Sequence, residues 1–331
     1  MNSVAISIVI PVYCSKQTLP VLFERLYHVL RSMDRTFEIV FVDDGSRDDS
    51  WSVLAALRER APREVMAIQL MRNFGQHNAL MAGFRQACGA FVVTMDDDLQ
   101  NPPEEIPKLL KAIEAENLDL VYGRYFSKKH DFWRNCASAL AGRFFRWVFR
   151  TRVAPTSFRI IRRELLQTIL YYDLNFTVVD GLLAWNTHRI GEITVDHQPR
   201  QKGRSGYSLR KLLVQALNLF TNFSLLPLQF VSLCGLLVAG GGLCAAALFL
   251  AQLLLHNITV PGYASTIIAV LVLGGVQLLA MGIMGEYLGR LHLNVNRKPQ
   301  YNVRQVLGFP DAERPQPPSA GPGHERISPP E

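Results

Sequence analysis

Short apolar runs rich in β-branched residues set the rhythm of the N-terminal third of the chain. Ile6 to Val12, Phe37 to Val42, Val65 to Leu70 and Ala90 to Met95 predict buried parallel strands. Between them, apolar positions fall at helical spacing over Leu19 to Met33, with Thr18 as a candidate cap, over Ser50 to Arg60 and over Gln76 to Cys88. Strand and helix alternating at this pace predict a doubly wound, mostly parallel α/β sheet. In such a sheet the ligand site lies in the crevice at the carboxyl ends of the strands.

After Gly123 the alternation loosens. Phe132 to Phe149 interleaves Trp133, Phe144, Phe145, Trp147 and Phe149 with Arg134, Arg143 and Arg146. A helix of that kind suits a membrane interface, and packing beneath the sheet is the other reading of the same stripe. Farther on, Leu225 to Leu255 and Ser265 to Leu288 each exceed the roughly 20 apolar residues that cross a bilayer. From Leu225 to Leu288, Glu286 is the one Asp, Glu, Lys or Arg. The joint between the runs carries Pro261 and Gly262 but no Lys or Arg, whereas Arg200 to Lys211 and Arg290 to Arg304 flank the outer ends. Both ends are therefore expected on the cytoplasmic side.

The expected organisation is a soluble domain over 1–205 and a juxtamembrane amphipathic helix over 206–224. Two transmembrane helices follow over 225–289 with a short outer loop at 256–263, then a cytoplasmic segment over 290–309 and a disordered tail rich in Pro and Gly over 310–331. Gly240 to Gly242, Gly274 and Gly275 allow either close approach of the two helices or contacts between copies.

Composition sharpens this picture. The chain of 331 residues is 49% hydrophobic with a net charge of +7. Its basic residues cluster beside apolar stretches, which fits anionic lipid headgroups better than nucleic acid, and there is no aromatic and basic RNA-reading motif. Five cysteines without CxxC spacing read as reduced thiols, not as a disulfide frame or zinc site. The start, MNSVAISIVIPVY, has no signal-peptide pattern, so the first domain is expected in the cytoplasm.

The sharpest chemical signal is Asp96-Asp97-Asp98-Leu99-Gln100-Asn101-Pro102-Pro103 at the end of an apolar strand. Three adjacent carboxylates there are expensive unless a cation neutralises them, and oxygen ligands of this kind suit Mg²⁺ or Mn²⁺ completed by a diphosphate. Asp43 and Asp44, before Gly45 and Ser46, close a second strand; they can accept hydrogen bonds from a base or ribose, or cap the helix near Ser50. Two acidic strand ends in one sheet point into one cleft.

Together these strings resemble the inverting glycosyltransferases of family two: Ser7 to Tyr13, Val42 to Ser46, Arg72 to His77 with Ala82-Gly83-Phe84, and the aspartate triplet with Gln100 and the two prolines. The nearer resemblance is to the polyprenyl-phosphate glycosyltransferases, the group of dolichyl-phosphate mannose synthase and the GtrB and ArnC types. It runs from Ser7 to about Val306 and includes Arg200, Gly203, Ser205, Tyr207 and Ser208, and then Gly285 to Arg290. The resemblance implies a GT-A type fold. It also implies a nucleotide-sugar donor, UDP favoured over GDP, a polyprenyl phosphate acceptor, and a dimer or tetramer at the cytoplasmic face of a bacterial inner membrane.

By the same resemblance Pro11, Tyr13, Asp43, Asp44 and Asn73 hold the nucleotide, and Asp96, Asp98 and Gln100 hold the metal and diphosphate, with Asp97 in the variable middle place. Arg134, Arg159, Arg200 and Ser205 then face the lipid phosphate or donor diphosphate. The chain departs from the family pattern at Val153, where relatives carry an aspartate, and at Gly206, where they carry a lysine. Asp180 is open to two readings, a substitute base or a buried structural acid.

Two competing classes are weaker. A processive polysaccharide synthase carries a Q-x-x-R-W string and more spans, and here Arg143 stands where the glutamine of such a string would fall before Arg146-Trp147. A non-catalytic membrane scaffold would leave the aspartate triplet without a partner.

Overall fold

The computed structural model describes residues 4–125, 153–172, 177–196, 226–254, 262–295 and 299–309. The chain divides into two compact units, one of Met1–Gly206 with Pro299–Glu331 and the other of Tyr207–Lys298.

The first unit is built on an eight-stranded sheet. Its strands are β1 (Ile6–Val12), β2 (Phe37–Asp43), β3 (Val65–Leu70), β4 (Phe91–Thr94), β5 (Leu120–Tyr125), β6 (Arg159–Arg162), β7 (Ile190–Val195) and β8 (Val303–Leu307). They lie in the order β7-β5-β6-β4-β1-β2-β3-β8. The run β4-β1-β2-β3 is parallel, as the apolar pattern predicts, while β6 runs antiparallel to both β4 and β5, and β8 antiparallel to β3.

Helices α1 (Leu19–Ser32), α2 (Ser50–Arg60) and α4 (Ile106–Ala115) cover one face with α3 (Gln76–Gln86) packed on β1 and β2 from the other. The larger core joins Ile6, Ile8, Ile10 and Val12 of β1 to Leu22, Leu26 and Leu30 of α1 and Ile106, Leu109 and Ile113 of α4. Alternate residues Val9 and Val42 press against Gly83 of α3 instead, where a Cβ would stand 2.4 Å from Val9 Cγ1. Both faces of β1 are thus buried, which is why its sequence is an unbroken apolar run. Because β1 leads to β2 on one side and pairs with β4 on the other, the strand order reverses between β1 and β4. That places a crevice at their carboxyl ends.

Three features differ from the sequence expectation. Thr18 occupies the N-cap position of α1 but makes no side-chain cap; its hydroxyl lies 2.7 Å from Asp97 O and 3.1 Å from Ser15 O, so it serves the aspartate turn. Helices α5 (Arg163–Leu170) and α6 (Val179–Asn186), with β5 to β7, continue the domain where the sequence rhythm had faded. Finally β8, in the segment read only as cytoplasmic, forms the edge strand beside β3.

In the second unit, α7 (Leu226–Leu254) and α8 (Tyr263–Val295) are 29 and 33 residues long and touch one another. Their described side chains include exposed apolar groups such as Leu236 at 70% and Leu278 at 71%. Among the described residues no helix is long and apolar enough to cross a membrane. The expected interfacial helix over Phe132 to Phe149 and the juxtamembrane helix at 206–224 lie outside the described residues, as does the tail 310–331. Cys14, Cys88, Cys234 and Cys244 are free thiols.

Candidate active site

Four turns meet at the carboxyl ends of β1 to β4, and hydrogen bonds stitch them together. After β1, Cys14 N–H donates to Ser46 Oγ and Ser15 N–H to Ser50 Oγ, both at 2.9 Å, tying this turn to the one after β2. Tyr13 N–H donates to Asp97 Oδ2 at 3.1 Å, tying it also to the turn after β4. Cys14 and Leu99 adopt left-handed φ values of 56° and 63°, a conformation that costs a non-glycine residue about 1–2 kcal/mol. Such strain gathers where a surrounding network holds a turn for use.

Asp43 and Asp44 are both buried. Asp43 accepts from Ser46 N–H at 3.0 Å and from Gln69 Nε2 at 3.2 Å. The Asp44 carboxylate reaches across to the turn after β3, accepting Phe74 N–H at 2.7 Å and Gly75 N–H at 2.9 Å. Burial pushes its pKa up to about 6; the two N–H donors pull the other way and Asp43 adds to the rise. Between them Gly45, at φ 67°, backs onto the same turn so closely that a Cβ would lie 2.5 Å from Arg72 C. Pro11 is half-buried in β1 opposite Val42, Tyr13 is 44% exposed, and Asn73 is exposed in the turn that Asp44 grips.

The aspartate triplet is half-buried. Asp96 accepts from Gln76 Nε2 at 2.7 Å and from Ser157 Oγ at 2.6 Å. Asp98 accepts the N–H of Gln100 at 3.1 Å, closing a tight turn. Burial raises the pKa of Asp96, with Asp98 adding to the shift, and raises Asp97 to about 6, with Asp96 and Asp98 adding there. Three carboxylates that repel one another in a partly dry crevice are a donor set that a divalent cation relieves. Among the described residues no three His, Cys, Asp or Glu side chains are grouped to hold a metal alone. The set fits a divalent cation of the kind held through one or two carboxylates together with substrate phosphate, not one in a closed all-protein cage.

Arg159 is 1% exposed and forms an ion pair with Asp180, so its charge is matched inside the domain. Asp180 is accordingly engaged by Arg159 and by Tyr122, whose hydroxyl donates to it at 2.9 Å. Arg134, Arg200 and Ser205 lie outside the described residues. Residues that sequence reasoning gave no role are Gln76 and Ser157, the two donors to Asp96. Gln76 sits in a string singled out for its resemblance, but a neutral polar side chain, there or at Ser157, carries no charge or periodicity to mark it.

Residues 7–170 match the Glycosyl transferase family 2. The chain belongs to this family and is a glycosyltransferase. It is 37% identical over 308 residues to an undecaprenyl-phosphate 4-deoxy-4-formamido-L-arabinose transferase of Serratia proteamaculans, covering 92% of this chain and 94% of that one. To the protein of the same description from Pseudomonas syringae pv. syringae it is 37% identical, covering 91% and 90%. Among solved structures it is similar to glucosyl-3-phosphoglycerate synthase from Mycobacterium tuberculosis in complex with Mn²⁺, UDP and phosphoglyceric acid. That likeness has a TM-score of 0.48 at 18% identity and covers 66% of this chain and 76% of that one.

Proposed function

We propose that the chain transfers a single sugar from a nucleotide sugar, a UDP-sugar by preference, to undecaprenyl phosphate at the cytoplasmic face of a bacterial inner membrane, for modification of lipid A or another envelope glycan. The observation that carries this reading is the match at 37% identity to an undecaprenyl-phosphate sugar transferase over 92% of this chain, which takes in both long helices as well as the sheet. The sugar named for those relatives, 4-deoxy-4-formamido-L-arabinose, is the first donor to test.

In this reading α7 and α8 are the membrane anchor. In the sequence the apolar stretches that hold them, Leu225 to Leu255 and Ser265 to Leu288, exceed the roughly 20 residues a bilayer needs, α7 contains no Asp, Glu, Lys or Arg, and exposed apolar side chains along both helices support a non-aqueous surrounding, although the described residues of neither helix alone make a span. An acceptor whose phosphate sits at headgroup depth requires a domain held against the bilayer, and the basic stretches around Arg134 and Arg200 to Lys211 suit that anionic surface. Association of copies into a dimer or tetramer belongs to the same proposal.

The chemistry needs little from the protein in proton transfer. A phosphate monoester with a second pKa near ~6 is largely dianionic at neutral pH, so its oxygen can attack the anomeric carbon without a general base. This fits Val153, where the family carries an aspartate, and an Asp180 already engaged in an ion pair. Asp96, Asp98 and Gln100 would hold the divalent cation, which when bound supplies charge stabilisation to the departing nucleoside diphosphate. Asp43, Asp44, Pro11, Tyr13 and Asn73 wall the nucleotide side of the crevice. Arg134, Arg200 and Ser205 would meet the phosphates, and a single in-line displacement inverts the anomeric centre.

The test is a transfer assay with purified full-length protein, undecaprenyl phosphate and a panel of UDP-sugars with Mn²⁺, read by mass spectrometry of the lipid. A singly glycosylated lipid is expected. A polymer, or no glycolipid where an established relative makes one under the same conditions, overturns the proposal.

A further inference from the structure

Arg159 opens β6, opposite Thr94 of β4 on one side and Tyr122 of β5 on the other. Its guanidinium is shut in with Asp180 at the start of α6, and Tyr122, 2% exposed, donates to the same Asp180 oxygen. Burial alone would lower the pKa of this arginine; Asp180, Tyr122 and Asp96 more than reverse it, so the cation persists inside the domain. A buried ion pair is a poor stabiliser, because desolvation offsets its attraction and apolar residues of similar volume often serve as well. Its place in the fold supplies another use.

Both donors to Asp96 abut this cluster. Ser157, which donates to Asp96 Oδ2 at 2.6 Å, lies in the short segment leading into Arg159, and Arg159 Nη1 lies 3.5 Å from the carbonyl of neighbouring Thr156. Thr94 Oγ1 in turn donates to the Ser157 carbonyl at 2.7 Å. Gln76, which donates to Asp96 Oδ1 at 2.7 Å, is followed by His77, whose Nδ1 accepts Val179 N–H at 3.4 Å beside Asp180. Each oxygen of Asp96 is thus met by a side chain whose sequence neighbour touches this cluster or the residue beside it: Thr156, next to Ser157, meets Arg159, and His77, next to Gln76, meets Val179, which precedes Asp180.

We infer that Arg159, Asp180 and Tyr122 are positioning residues that hold Ser157 and Gln76 so that Asp96 keeps its free lone pairs on the divalent cation. The inference rests on the metal assignment made for Asp96 and Asp98. It gives Arg159 a role behind the metal and not on the acceptor phosphate.

The test is UDP-dependent Mn²⁺ binding to full-length protein, followed by the electron paramagnetic resonance of free Mn²⁺, with steady-state kinetics alongside. Asp180→Asn is expected to weaken Mn²⁺ binding by ~10–100-fold, the range seen when groups that orient metal ligands are removed. Tyr122→Phe, which removes one hydroxyl and keeps the fold if Asp180→Asn does not, is expected to weaken it several-fold. In both, kcat falls while the KM for undecaprenyl phosphate stays within about twofold of wild type. A folded Tyr122→Phe or Asp180→Asn protein with wild-type Mn²⁺ affinity overturns the inference. So does Arg159→Lys raising the acceptor KM tenfold with Mn²⁺ affinity unchanged. Wild-type protein that binds no Mn²⁺ with UDP overturns the metal assignment itself, and the inference with it.

Discussion

Replacing Gly45 with alanine tests how the turns after β2 and β3, the side of the crevice proposed to hold the nucleotide, are held together. The new Cβ would stand 2.5 to 2.7 Å from three backbone atoms of Arg72 and Asn73, and backbone cannot swing aside as a side chain can. Restoring ordinary contact means parting the two turns by about 0.9 Å, which would stretch the Asp44 bonds to Phe74 and Gly75 from 2.7 and 2.9 Å to beyond hydrogen-bond range. Alanine at φ 67° adds about 1 kcal/mol of its own. Two hydrogen bonds to a charged acceptor are worth roughly 1.5–3 kcal/mol each, partly regained when water enters, so the expected loss is about 3–5 kcal/mol. For a domain of this size that lowers Tm by about 10 °C. Thermal unfolding followed by tryptophan fluorescence, with UDP titration, is the assay. Gly75→Ala is the control: its φ of 91° is equally foreign to alanine, but nothing lies within 4 Å of the added Cβ, so strain acts there without the clash. Gly45→Ala protein that melts within about 2 °C of wild type and binds UDP normally would refute the reasoning.

Asp98→Asn keeps the size of the side chain and an oxygen that can accept the Gln100 N–H, so it should abolish transfer while leaving the protein folded; retained turnover would remove it from the metal set. EDTA should silence the enzyme and Mn²⁺ restore it, and activity indifferent to chelation would contradict the reading. Asp44, with its pKa raised to about 6 from 3.8, binds its proton more tightly when folded. Its contribution is full below pH 3.8 and is lost as pH rises through 6, by on the order of 3 kcal/mol. Asp44→Asn should therefore gain stability relative to wild type between pH 4 and 7, and a flat difference in Tm would count against this. Ending the chain after Lys298 removes β8, so the Met71 amide, now bonded to Asn302 O at 2.9 Å, should lose hydrogen-exchange protection; unchanged protection would show that β8 does not guard that edge.

What was legible in the sequence follows from what leaves a pattern. Strands buried on both faces, β1 to β3, appear as apolar runs because every position is selected for burial. β8 is invisible, since Val303 to Leu307 lies mostly exposed and is recruited by the unpaired edge of β3, not by its own hydrophobicity. The aspartates were legible because charge at the end of an apolar strand demands a reason. The partner of Arg159 was not legible for a related cause: nothing in the sequence pairs it with Asp180, which arrives on α6 to match its charge. Thr18 was placed at the right helix start, but its hydroxyl found a stronger claim in the carbonyl of Asp97.

The strand that finishes the sheet comes from far along the chain, with Ala67 meeting Leu307. At ribosomal speeds of about 5–20 residues per second, β3 waits on the order of tens of seconds before its neighbour exists. Throughout that interval a row of backbone donors and acceptors beside the turn that Asp44 grips lies open. The sheet is thereby completed only after both long helices have emerged, so a nascent chain stalled before them carries an unfinished edge that chaperones or proteases can recognise.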